Sequence, residues 1–303
     1  MRVFVTGASG HIGSAVVPEL IGAGHEVVGL ARSDESAGKL EAAGATVQRG
    51  ELADLDGLRA AAAAADGVVH LAFDHQAMRS GDFAGAAAGE LAAVQAIGEA
   101  LAGSNKPLVT TSGTLMLTQA GIGDRAGTEE DRAPGGPRVD AENHVAGLRE
   151  QGVRSSIVRL PPITHSTLDG HGFAPTLIAI ARDRGVAGYV GDGTNRWPSV
   201  HTLDAARLYR LALESAPAGS RLHAVADEGV PFRDVAAAIG RGLDLPTASV
   251  PPAEAAAHFA FLGALVGLDN PTSSALTRQW VGWEPTHPGL IADLDEGHYF
   301  AAG

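Results

Sequence analysis

The stretch TGASGHIG, Thr6 to Gly13, decides how the rest of this 303-residue chain is read. It follows an apolar run, Arg2–Thr6 (RVFVT), and opens a helical one. Gly7 permits the tight turn, Gly10 removes a side chain where a diphosphate would approach the backbone, and Gly13 lets the helix pack close to the strand. The amides of this turn, around Ser9, His11 and Ile12, then face negative charge, which the helix dipole also favours. A glycine-rich string alone is a weak signal. Here its position between strand and helix supplies the context the motif requires.

Outward from this turn, short β-rich runs alternate with helical stretches. Glu26–Ala31, Thr46–Arg49, Gly67–Leu71, Leu108–Thr111 and Ser155–Leu160 read as buried strands. Between them, Ile12–Ala23, Ser36–Ala43, Asp56–Ala65, Asp82–Ala102 and Val139–Gln151 carry helical spacing. The alternation predicts an α/β fold, a doubly wound parallel sheet of the Rossmann kind. Pro18 sits inside the first helix and removes one backbone hydrogen bond there. The run Ala60–Ala65 reads as a helix packed closely on the sheet. After Leu160 the rhythm changes: 161–173 (PPITHSTLDGHGF) and 191–199 (GDGTNRWPS) read as loops. Helices are expected near Pro175–Arg184, Leu203–Ser215, Pro231–Gly242, Pro252–Leu265 and Thr272–Val281, and a strand at Arg221–Ala226. Residues 1–160 plus 199–226 are expected to form the dinucleotide-binding domain, and 161–198 plus 227–303 a smaller, interlocked substrate-binding lobe.

Composition narrows the function classes. Apolar residues make up 45% of the chain, so it is globular. A formal charge of −13 gives no general attraction for nucleic acid or an anionic membrane, and any phosphate site must be local. The absence of cysteine excludes disulfides, thiolate nucleophiles and cysteine-based zinc sites. No apolar run reaches the ~18–20 residues of a membrane span. A strand from Arg2 leaves no room for a signal peptide. A cytoplasmic protein acting on a small-molecule substrate is therefore expected, with homo-oligomerisation left open. The only lysines are Lys39 and Lys106.

The Gly-x-x-Gly-x-x-Gly spacing resembles the short-chain dehydrogenase/reductase superfamily, and several further stretches resemble its extended branch, the NAD-dependent epimerase/dehydratase family. RGELADLDGL (Arg49–Leu58) is similar to the turn that holds the adenine, with Glu51 and Leu52 in those positions. GVVHLAF (Gly67–Phe73) resembles the strand whose end, Leu71, Ala72 and Phe73, lies along the cofactor. LVTTSGTLML (Leu108–Leu117) puts Ser112 in the catalytic Ser/Thr position. IVRLPP (Ile157–Pro162) is similar to the segment beside the nicotinamide, at Leu160 and Pro161. VGDGTNRWPSVHTLDAARL (Val190–Leu208) resembles the stretch that leaves and re-enters the substrate lobe. The matches occur in order and reach to about residue 240.

For the cofactor, NAD-preferring domains place an acid at the end of the second strand, on the ribose hydroxyl. Here the strand ends Ala31–Arg32–Ser33. Arg32 offers a forked, permanent cation suited to a 2′-phosphate, and Ser33 adds a hydroxyl, so NADP(H) is expected. The alternative is a solvated Arg32, with Asp34 on the ribose.

The resemblance also implies a Tyr-x-x-x-Lys pair, and this chain lacks one. None of Tyr189, Tyr209 and Tyr299 precedes a lysine by four residues. By spacing from Ser112, Arg138 stands in the Tyr position and Glu142 in the Lys position. Four apart, they can pair on one helix face, either as a surface ion pair or as a rebuilt site. An arginine cannot replace the tyrosine as a proton donor, but it can hold an oxyanion or a carboxylate. An anionic Glu142 would favour a C=N substrate over a plain ketone. Asp74, His75, Thr114, His165 and Trp197 are candidates for lining the substrate pocket. No metal is expected, since no His-Glu-x-x-His occurs and His165 and His171 lack clustered carboxylates. The leading reading is an NADP(H)-dependent oxidoreductase acting on a small C=O or C=N group. The alternatives are a non-enzymatic NADP(H)-sensing protein and a sugar-nucleotide epimerase or dehydratase.

Overall fold

Apolar runs buried on both faces build the centre of this molecule, and they fall where the hydrophobic pattern puts them. A computed structural model describes residues 1–301. In chain order, β1 (Arg2–Thr6), α1 (His11–Gly22), β2 (Glu26–Ala31), α2 (Asp34–Ala42), β3 (Thr46–Arg49), α3 (Leu55–Ala64) and β4 (Gly67–His70) alternate. A short α4 (His75–Arg79) precedes the long α5 (Phe83–Leu101), followed by β5 (Pro107–Gly113), α6 (Val139–Gly147) and β6 (Arg154–Leu160). The second half holds β7 (Ile163–His165), α7 (Phe173–Arg184), β8 (Ala187–Val190), β9 (Arg196–His201), α8 (Thr202–Ser215) and β10 (Ser220–His223). It ends with β11 (Asp227–Pro231), α9 (Phe232–Leu243), β12 (Thr247–Val250), α10 (Ala255–Phe259), α11 (Ala275–Val281) and α12 (Leu290–Asp295).

Seven parallel strands form the main sheet in the order β10-β6-β5-β4-β1-β2-β3. The order reverses beside β1, which opens a crevice at the strand C-termini between β1 and β4. Val3 and Val5 face one side, against Val16, Val17 and Leu20 of α1 and Leu208, Tyr209 and Leu213 of α8. Phe4 faces the other side, with Leu58 of α3 and Ala93, Ile97 and Leu101 of α5. Each such side chain removed from water contributes roughly 1.5–3 kcal/mol, so this double-sided core holds the crevice rigid. Pro18 stays inside α1 because it lies on the exposed face, where its missing N–H leaves nothing buried unpaired.

A separate apolar cluster, including Ile163, Leu177, Trp197, Phe232, Val235, Phe259 and Leu290, lies beyond the sheet edge. It is organised on the three-stranded sheet β11-β9-β7 and the two-stranded sheet β12-β8. Three expectations are corrected here. The segment 161–173 is not all loop, since Ile163 to His165 form β7. The segment 191–199 is not all loop, since Arg196 to Ser199 belong to β9. Pro198, which suggested a loop, is accommodated because the pairing of β9 with β11 shifts register between Asp227 and Val230. The helix expected over 252–265 is broken into α10 between two 3-10 turns. Ala260 takes a positive φ of 51°, and a Cβ on Gly263 would lie 2.5 Å from Ala256 Cα, so the chain doubles back too tightly for one helix.

Candidate functional site

The glycine turn is shaped by backbone. Gly7 has φ of 66°, and a Cβ there would lie 2.7 Å from Ala72 N. A Cβ on Gly13 would lie 2.2 Å from Gly7 O, so neither position accepts a side chain. Thr6 Oγ1 bonds His70 Nδ1 at 2.9 Å and accepts from Ala72 N at 3.3 Å, which ties the ends of β1 and β4 together. α1 starts after Gly10 with no side-chain cap, leaving its first amides for a ligand. A glycine cradle walled by main chain and opening on uncapped amides fits a diphosphate. Ser9 and Ile12 are half-buried on the turn, Ile12 against the core. His11 bonds Thr202 Oγ1 at 2.9 Å and stands 3.6 Å from Asp169. Burial lowers its pKa, while Asp169 pulls it back up and His165 and His171 lower it further.

At the other end of the crevice, Ala31, Arg32, Arg49, Gly50, Glu51 and Asp54 line an open cleft of about 330 Å³. Asp34 is engaged by Arg49. Arg32 is exposed in the cleft and, among the described residues, has no hydrogen-bond or ion-pair partner. Ser33 caps α2, its hydroxyl accepting from Ser36 N at 3.2 Å. Leu52 is half-buried beside these residues.

Across the crevice, Leu71, Ala72 and Phe73 leave the end of β4 half-buried. The Arg138 guanidinium stands 4.1 Å over the Phe73 ring. Its Nε and Nη2 each donate to a Glu90 oxygen at 3.1 Å, and Nη2 also to Thr111 O at 3.3 Å. Burial raises the Glu90 pKa, and Arg138 reverses only part of that. The expected Arg138–Glu142 pair therefore does not form. Arg138 caps α6 with φ of 63°, which places it outside the helical repeat.

Glu142 instead joins a buried cluster. Its oxygens accept from Arg159 Nε at 3.1 Å, Arg159 Nη2 at 2.6 Å and Arg221 Nε at 2.7 Å. Burial pushes its pKa up, but Arg159, with lesser help from Ser112 and Arg221, holds it at about 2. Matched by two guanidiniums, Glu142 presents no free negative charge, so the preference for a C=N substrate loses its basis. His223 donates from Nδ1 to Ser273 O at 2.7 Å and accepts from Arg159 Nη1 at 3.1 Å. Its pKa falls to about 3, through burial first and Arg159 second. Ser112, in register with Arg159 across β5 and β6, is 4% exposed. Its Oγ forms no well-formed hydrogen bond among the described residues.

The remaining pocket candidates are not brought together. Asp74 and His75 are exposed: Asp74 caps α4 by accepting from Gln76 N and Ala77 N, and His75 meets the Phe73 ring edge at 5.3 Å. Thr114, His165 and Trp197 are all 0% exposed, which corrects the expectation that they line a pocket. Thr114 bonds Asn270 at 2.8 Å, His165 bonds Asp293 at 2.9 Å, and Trp197 donates to Leu268 O at 3.1 Å within the second core. Leu160 is half-buried and Pro161 buried where β6 ends. One group of potential metal ligands does converge, Asp293, Glu296 and His298, within 4.8 Å of one another, with Asp293 also bonded to His165. Glu90, Arg159 and Arg221 were missed from sequence. Their signal was weak: Glu90 shares its helix with Glu99, β6 carries Arg154 as well as Arg159, and Arg221 sits between a serine and Leu222, so charge alone did not mark the buried ones.

Among the described residues no helix is long and apolar enough to cross a membrane. Residues 3–131 match the sequence profile of the NAD dependent epimerase/dehydratase family. An uncharacterized protein of Schizosaccharomyces pombe is 48% identical over 305 residues, which covers 99% of this chain and 100% of that protein. An uncharacterized protein of Saccharomyces cerevisiae is 44% identical over 297 residues, 97% of this chain and 98% of that one. In fold, the chain is similar to a dTDP-glucose 4,6-dehydratase from Streptomyces venezuelae, solved with NAD and TYD bound. The TM-score is 0.78 at 19% identity, over 99% of this chain and 96% of that one.

Proposed function

Since this chain belongs to the NAD-dependent epimerase/dehydratase family of the extended short-chain dehydrogenase/reductase superfamily, we propose that it is an oxidoreductase using NADP(H) on a small carbonyl substrate. The observation that carries the cofactor choice is Arg32, unpartnered among the described residues in the cleft, with Asp34 already engaged by Arg49. The amides from Ser9 to Gly13 hold the diphosphate, Arg32 meets the 2′-phosphate, and Glu51 and Leu52 flank the adenine. Leu71, Ala72 and Phe73 lie along the middle of the dinucleotide, and Leu160 and Pro161 bound its nicotinamide end. When bound, the dinucleotide supplies or accepts a hydride; the chain's own residues orient it and exclude water.

Titrating NADPH and NADH against the wild type and Arg32→Ala tests this. Loss of a charge-assisted contact costs on the order of 1.5–3 kcal/mol, about 10- to 150-fold in affinity, and the loss is expected for NADPH alone. Equal wild-type affinities for the two cofactors, or an equal loss for both in the variant, defeat the reading. A second reading, a dinucleotide sensor without turnover, is favoured by one observation: Ser112 is sealed and Glu142 is fully matched by arginines. Tight, selective NADPH binding with no turnover across aldehydes, ketones and conjugated carbonyls would establish that reading instead.

A further inference from the structure

The Arg138 guanidinium is fixed on several sides. Glu90 holds Nε and Nη2, Thr111 O holds Nη2 again, and Phe73 lies beneath. The backbone at Arg138 adopts φ of 63°, where a non-glycine residue carries strain. The remaining nitrogen, Nη1, has no partner among the described residues, and the side chain keeps 17% of its surface exposed. The group stands over the C-terminal ends of β4 and β5, beside the crevice where the dinucleotide is proposed to lie.

Among the described residues, the buried hydroxyl and imidazole groups around it do not serve as its proton donor. The Tyr209 hydroxyl bonds Thr111 Oγ1 at 2.8 Å, and burial raises its pKa. His70 is bonded to Thr6, and burial, then Arg138, lowers its pKa to about 4. His223 is committed to Arg159 and Ser273. Ser112 is sealed. An arginine keeps its proton, with a pKa above ~12, so it stabilises a developing oxyanion without protonating it.

We propose that Arg138 Nη1 is an oxyanion donor, and that the substrate is a conjugated carbonyl, an enone or a quinone, whose reduced form is a stabilised enolate or phenolate. This rests on the oxidoreductase reading above. The acceptor carbon gains a C–H bond with the hydride's two electrons, the π pair moves onto oxygen beside Nη1, and water protonates the oxyanion after the transfer. A plain ketone would yield a strongly basic alkoxide, which needs an acid within the step.

The probe is 4-nitrophenol, a product-like phenol whose ionisation is read by absorbance, in the presence of the protein and NADP+. Bound to the wild type, its pKa is expected to drop by about one unit, a tenfold shift toward phenolate. Arg138→Gln should abolish the shift and Arg138→Lys retain part of it, with NADP+ affinity confirming that each variant is folded. With NADPH, 2-cyclohexenone should be consumed faster than cyclohexanone, and only in proteins that keep the cation. An unshifted nitrophenol, no nitrophenol binding, or cyclohexanone as the better substrate overturns this inference. The oxidoreductase reading fails separately, if NADPH does not bind the wild type or if no acceptor is turned over.

Discussion

Glu142→Gln separates a structural carboxylate from a catalytic one. Wild-type Glu142 lies between Arg159 and Arg221, with side-chain exposures of 2%, 1% and 5% in that order. The two cations already outnumber the anion, and burial leaves little solvent to screen the difference. An amide keeps one acceptor oxygen but turns an N–H group toward the guanidiniums, leaving both cations uncompensated. Breaking such a buried pair costs about 3–5 kcal/mol. For 303 residues, an unfolding entropy of ~2.1 cal/mol/K per residue converts this to a melting temperature lower by about 5–8 °C. Urea unfolding followed by circular dichroism at pH 7 reads the loss directly. Adding Arg221→Met should recover roughly 1–2 kcal/mol, because one orphaned cation leaves with its partner. A Glu142→Gln protein as stable as the wild type but without turnover would refute the structural assignment and return Glu142 to the chemistry.

Burial holds His70 at about 4 and His223 at about 3, below their usual 6.5. Between pH 6.5 and 4 the unfolded chain therefore binds protons at these two histidines that the folded chain refuses, and stability falls as pH drops, by roughly 2–3 kcal/mol per unit. Urea midpoints at pH 7.5, 6 and 5 check this, and a flat profile would contradict it. In the glycine turn, Gly13→Ala puts a Cβ 2.2 Å from Gly7 O and should cost about 1–3 kcal/mol of stability, whereas Gly10→Ala meets its nearest atom at 3.3 Å. Gly10→Ala should thus stay near wild-type stability while weakening NADPH binding by calorimetry. Equal destabilisation by the two substitutions would count against the cradle geometry.

How much was legible depends on how far apart in the chain the interacting groups lie. The strands and helices around the glycine turn could be read because burial on both faces leaves a continuous apolar signature, as in RVFVT and GVVHL. The second lobe was harder because its strands are short and punctuated: β9 contains Pro198, and β8 ends at a turn with glycines at 191 and 193. Local spacing also misled. Arg138 and Glu142 are four apart, which suggests a pair, but their partners come from distant segments. Arg138 reaches Glu90, 48 residues away, and Glu142 reaches Arg159 and Arg221, 17 and 79 residues away. The positive φ at Arg138 breaks the helical relation on which that spacing argument depended.

These pairings explain how a chain without the Tyr-x-x-x-Lys motif keeps an ordered site. A lysine pointing at the dinucleotide would bring a mobile cation to the crevice. Here the cation at the crevice is instead the Arg138 guanidinium, fixed by Glu90 and Phe73. The carboxylate that replaces the lysine is withdrawn into the sheet edge and neutralised by Arg159 and Arg221. Had Glu142 faced the crevice unpaired, its charge would have opposed the phosphates and any oxyanion formed there. Arg159 on β6 and Arg221 on β10 thus keep the Glu142 charge out of the crevice, and they do so from strands, RSSIVRL and SRLH, in which serines and a second arginine already break the apolar run.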